Sequence, residues 1–248
     1  MSEKQKFPSE VVDLPSEGRL YPKDSPLKDG KIELKYMTAR EEDILTSQNL
    51  IRKGVVVDML LDSLILTQGV KTEDLILGDK NAVMVAARVL AYGPEYSCEI
   101  TNPKSGEAFT HIFNLADCPF KTLPEGVSEN KFEIELPISK KKITFKLLTG
   151  KEENLIEEEL KSSAKLGGVK PELTTRLRYT ITSADGDESQ STINDFVQNL
   201  LARDSMYLRN EIRKVSPDIV LKQEVEIEGE TVTVDIPMTV DFFWPSTE

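Results

Sequence analysis

The spacing of apolar residues changes kind along this chain, and the places where it changes leave room for one fold class. Between about residues 38 and 91 apolar positions recur at helical spacing. Gly93-Pro94 ends this, because glycine accepts a left-handed turn and proline has no amide to continue a helix. Beyond it Tyr96, Cys98 and Ile100, then Phe109, His111 and Phe113, alternate with polar residues about a turn at 102–106, which predicts a β-hairpin. Segments 131–136 and 142–147 alternate around Pro137-Ile138-Ser139, helical spacing returns over 152–215, and Val225 to Ile236 alternate about Glu228-Gly229-Glu230. An α+β fold follows: an N-terminal helical bundle, central antiparallel hairpins, then C-terminal helices closed by a hairpin.

Local signals predict the elements. Prolines and glycines through residues 1–30 make that stretch an extended arm, and LPSEGRLYP within it reads equally as a strap pinned by Leu14, Leu20 and Tyr21 or as a frayed tail. After a short strand at 31–36, Thr38 and Glu41 form a capping box for a helix reaching about Leu50. Val55, Met59, Ser63 and Leu66, flanked by Val56, Leu60 and Leu64, give the next helix one broad apolar face, and a third runs from about Asp79 to Ala91. A charged helix from Glu152 carries Leu155, Ile156 and Leu160 and stops at Gly167-Gly168; another, from Pro171, holds Leu173, Leu177 and Ile181. A long helix over 192–215 carries a stripe that includes Phe196, Leu200 and Tyr207. The chain thus divides into an arm (1–30), an N-terminal helical domain (31–93), a central strand-rich region (94–148) and a C-terminal helical region with hairpin and aromatic tail (149–248). No fixed-period repeat is evident.

Composition narrows function. At 248 residues with 39% hydrophobic residues the chain can bury a core without disulfide or metal. A net charge of −12 repels phosphate backbones and argues against nucleic-acid partners. Two cysteines, no signal-peptide pattern and no long apolar run point to a reducing cytoplasm and against membrane insertion. His111 is the single histidine, and nucleophile elbows, phosphate-cradling glycines and paired metal-binding histidines are absent as motifs. The acidic runs Glu157-Glu158-Glu159 and Asp185-Gly186-Asp187-Glu188 read as solvated surface. Asn102-Pro103-Lys104-Ser105-Gly106 has the shape of a zinc-ribbon knuckle with the thiolates replaced, and Cys98, Cys118 and His111 supply only three irregularly spaced donors. No catalytic residue, cofactor or metal is therefore expected. What is expected is binding through apolar surfaces: Leu20 and Tyr21 in the arm, Val56 and Leu60 in the second helix, Phe196, Leu200 and Tyr207 in the long helix, and Phe242, Phe243 and Trp244 in the tail. A groove between the N-terminal helices and the long helix, with acidic rims, would take amphipathic segments.

Several strings together, LPSEGRLYP, MTAREEDIL, AYGPEY, ITFKLLTGKEE and DFFWP, are similar to the baseplate hub and hub-assembly proteins of T-even-like contractile-tailed bacteriophages. The similarity is spread over most of the chain. It implies a non-enzymatic role in building the baseplate hub in the host cytoplasm, as a chaperone or a virion subunit, with hub subunits and the tape-measure protein as partners. Relatives with a fuller cysteine set would differ from this chain at the knuckle.

Overall fold

A computed structural model describes residues 8–102, 105–165, 170–227, 229–238 and 240–243. In chain order β1 (Ser9–Asp13) pairs antiparallel with β2 (Lys31–Lys35), and α1 (Ala39–Thr46), α2 (Gln48–Lys53), α3 (Val56–Leu64) and α4 (Leu77–Tyr92) follow. The hairpin β3 (Glu95–Thr101) and β4 (Ala108–Asn114) comes next, then the short β5 (Phe120–Lys121) and the hairpin β6 (Phe132–Glu135) and β7 (Lys142–Phe145). The second helical stretch holds α5 (Gly150–Lys165), α6 (Glu172–Thr180), β8 (Ile181–Ala184), α7 (Gln190–Gln198) and α8 (Ala202–Val215). After it β9 (Asp218–Ile219) pairs with β5, and β10 (Lys222–Ile227) forms the last hairpin with β11 (Glu230–Asp235). The mixed helix-and-hairpin architecture is the one expected.

One arrangement occurs twice. Residues 31–45, KIELKYMTAREEDIL, and 142–156, KITFKLLTGKEENLI, align without gaps, and the structure treats them alike. Each ends a hairpin and opens a helix, and each uses the same device. Glu41 Oε2 accepts from the Thr38 amide (3.0 Å) while Oε1 accepts from Lys35 (2.7 Å); Glu152 does the same with the Thr149 amide (2.9 Å) and Lys146 (2.6 Å). Leu34 of β2 bridges Ile65 just after α3, as Phe145 of β7 pairs with Ile181 just after α6. The third residue of α4, Asp79, accepts from the amide of Ser16, which follows the Leu-Pro after β1; the third residue of α8, Asp204, accepts from the amides of Ile138 and Ser139, which follow the Leu136-Pro137 after β6. Each copy then ends in a hairpin, and the two reach across to each other. Tyr96 of β3 donates to Pro237 O beyond β11 (3.0 Å), and Gln223 of β10 donates to Asn114 O at the end of β4 (2.5 Å). Connections of different length between matching elements hide this duplication from a search for a fixed period.

Two apolar cores result. The larger gathers the first copy with the last hairpin and the C-terminal aromatics; the smaller packs Leu136, Ile143 and Phe145 against Leu177, Ile181, Phe196 and Leu208. The structure corrects several expectations. The arm is a hairpin strand plus a compact loop with Leu14, Leu20, Tyr21 and Leu27 buried, so it is a strap rather than a tail. The first helix breaks at Ser47, and the face of α3 is centred on Val56, Leu60, Leu61 and Leu64, while Val55, Met59 and Leu66 are exposed. Ile181 starts β8 instead of continuing a helix, because β7 offers an open edge for it to pair with. The long helix over 192–215 is two helices that turn at Asn199 to Leu201. Gly167-Gly168, Pro103-Lys104 and Trp244 lie outside the described residues.

Candidate functional site

Several of the buried polar groups hold the fold together. Asp79 is fully buried; its Oδ2 accepts from the hydroxyls of Ser16 and Tyr21 (both 2.6 Å), and Tyr21 in turn accepts from the Ile76 amide (3.0 Å). Burial pushes the Asp79 carboxyl up, and the bonds from Ser16 and Tyr21 only partly oppose it. Tyr21 is also raised, by burial first and by the charge of Asp79 second. Gly18 closes the strap at φ +72°, and a Cβ there would lie 2.3 Å from Lys28 O. LPSEGRLYP is therefore a lock on the start of α4. At the other end of that helix buried Arg88 donates to Phe242 O (2.9 Å), Gly93 O (3.1 Å) and Glu95 O (3.3 Å).

Open space borders this lock, in a cavity lined by Leu20, Tyr21 and Ile76, and borders Phe196, Leu200 and Asp204; a further space runs along α8. A cavity of about 340 Å³ between the start of α4, α6 and α8 is floored by Leu77, Leu147, Leu148, Leu173, Leu177 and Ile212. A second, of about 610 Å³, runs on from it past Arg213 and Lys121 to β9 and β10, sharing Asn81, Arg209, Ile212, Ser216 and Asp218. The backbone is tight here: a Cβ on Gly78 would lie 1.8 Å from Pro217 O, so the close approach of α4 to the chain before β9 requires glycine at 78. Around this groove stand Lys121, Lys146, Arg176, Arg209, Arg213 and Lys222, against Asp218 and Asp235. Lys146, Arg176 and Lys222 pair with Glu152, Glu153 and Asp235. Lys121, Arg209 and Arg213 make no ion pair among the described residues; Lys121 donates to Arg213 O, and Arg209 and Arg213 reach only Ser205 O and Asn210 Oδ1, each at 3.4 Å. Burial, with Arg213 beside it, pulls the Lys121 ammonium down against the opposing charge of Asp218.

This groove takes only the start of α4 from the N-terminal helices, sets it beside α6 and α8, and has a basic rim where acidic rims were expected. The side chains read from sequence as binding residues sit differently. Leu20, Tyr21, Val56, Leu60, Phe196, Phe242 and Phe243 are buried within the chain, Leu200 and Tyr207 are half-buried, and none of these lines the groove. The groove residues come from α4, β5, β7, α6, α8 and β9, too scattered for a linear motif to reveal.

Among the described residues no group of three or more His, Cys, Asp or Glu is placed to hold a metal ion. Cys98 faces His111 across the β3–β4 hairpin, and buried Cys118 accepts from Gln223 (3.6 Å). Buried Asn102 closes the knuckle by accepting the Gly106 amide (2.8 Å). No described helix is long and apolar enough to cross a membrane.

No curated protein and no solved structure matches the chain significantly. The family model described as T4 bacteriophage base plate protein matches residues 10–244, from β1 past the buried aromatic turn that Arg88 holds. Since that match takes in both copies of the duplicated arrangement and nearly the whole sequence, this chain belongs to the T4 bacteriophage base plate protein family.

Proposed function

We propose that the chain is a non-enzymatic protein of viral tail morphogenesis that acts in the host cytoplasm in assembly of the baseplate central hub, holding hub subunits or the tape-measure protein until they are placed. The observation that carries this reading is the family match over residues 10–244. Two features support it. Among the groups with perturbed acidity, Asp79, Tyr21, Glu41 and Glu152 are engaged in fastening loops and helix starts. One open feature, the groove along α8, has the length and apolar floor to take a protein segment. Phage lacking this gene should give baseplates without a central hub by electron microscopy; normal baseplates would reject the proposal. The holding role further requires that purified particles carry little of the chain by mass spectrometry.

A second reading, an integral subunit of the baseplate hub, is favoured by the family's description as a base plate protein. Stoichiometric recovery from purified virions would decide for it.

A further inference from the structure

α8 presents openly a face that its counterpart α4 keeps covered. Counted from the matching carboxylates Asp79 and Asp204, Arg213 stands where Arg88 stands and Ile212 where Ala87 stands. Ala87 and Arg88 are each 3% exposed, and the Arg88 guanidinium holds the turn Val240–Phe243 by its Phe242 carbonyl. Arg213 is exposed and Ile212 half-buried, both on the groove. In one copy, then, this helix face holds the turn that carries buried Phe242 and Phe243; in the other, Arg213 is exposed and Ile212 only half-buried.

Charge sets what the open copy would accept. The chain carries 43 acidic and 31 basic residues, yet the groove lining is basic, with Lys121, Arg209 and Arg213 lacking carboxylate partners among the described residues. From Arg209 to Ser216 the rim spans about 10 Å, the length of roughly two helical turns or three extended residues. Leu173, 45% exposed at the mouth, adds apolar surface that water covers poorly. We infer that this groove binds an acidic segment of another tail protein, seating an apolar or aromatic side chain against Leu173 and Ile212 with carboxylates over Arg209, Arg213 and Lys121. The site names the partner chemistry for the function proposed above and rests on that reading for the segment's source. Nucleic acid is disfavoured, since the surrounding negative charge repels a phosphate backbone beyond the groove.

The test places the photo-reactive amino acid p-benzoylphenylalanine at Leu173 of the full chain in infected cells and sequences the cross-linked peptide. An adduct to a net-acidic segment of a tail protein is expected. Its yield should fall at least tenfold in Arg209→Glu/Arg213→Glu and recover in Arg209→Lys/Arg213→Lys, with an unchanged melting temperature for all variants. An adduct to a second copy of the chain, to nucleic acid or to a neutral or basic segment would overturn the inference. So would an absent adduct, or a yield indifferent to charge reversal. Deletion of the gene reads the proposed function separately: normal baseplates would remove that function while leaving an acidic adduct standing, and hub loss without the adduct would remove only the groove assignment.

Discussion

At the scale of single residues, the strongest local consequences come from polar groups enclosed with their partners. Tyr21→Phe keeps the ring and deletes a hydroxyl that donates to Asp79 and accepts from Ile76, leaving a buried amide unpaired; the expected loss is about 1–3 kcal/mol in urea unfolding. Asp79 gives a pH signature. Its pKa in the fold lies above the ordinary 3.8, so its contribution to stability is fullest below that pH and is lost as pH rises through the folded value. The parent should therefore lose stability relative to Asp79→Asn between pH 3.5 and neutrality, read from urea midpoints, and a constant difference would refute the assignment. Glu41 has the opposite sign. Burial raises its pKa, but Lys35 and Thr38 outweigh burial and hold it below 4.5, so its contribution is present above that pH and lost on acidification through the lowered value. Ser16, Tyr21 and Asp79 are all visible in the sequence, but nothing in the order of residues says that they meet.

At the scale of elements, what could be read depended on whether a local signal marked the boundary. The β3–β4, β6–β7 and β10–β11 hairpins were legible because alternation and turn residues coincide, and α4 because Gly93-Pro94 stops it. The break between α7 and α8 carries neither glycine nor proline. Leu200 and Leu201 continue the apolar stripe there, and the turn is fixed instead by Asp204 binding the amides of Ile138 and Ser139 at 2.9 and 3.0 Å, a contact between residues far apart in sequence. Asp204→Ala should destabilise by about 1–3 kcal/mol and speed amide exchange at Ile138 and Ser139. Slow exchange there in the variant would show that something else holds the turn. β8 was read as helix because Ile181 fits the stripe of α6; strand pairing with β7 overrode that pattern. The lining of the groove and its sign of charge depend on tertiary neighbours and were not legible in the sequence.

At the scale of the whole molecule, α4 is the element on which distant parts converge. Its first turn binds Ser16, 63 residues from Asp79, and Arg88 in its second half binds Phe242, 154 residues later. Phe242 meets the Tyr96 ring edge-on at 5.1 Å and is 2% exposed, so Phe242→Ala should cost about 3–5 kcal/mol and lower the melting temperature sharply. An unchanged melt would mean that the aromatic turn is not fastened as described. The same fastening has a temporal side. A ribosome adding roughly 5–20 residues each second needs about 8–30 s after making Arg88 before Phe242 exists. Throughout that interval the nascent helix lacks its final cover. Closure of the larger core therefore waits for Phe242 and Phe243, and a message cut short before those codons yields a chain in which Arg88 has lost that partner.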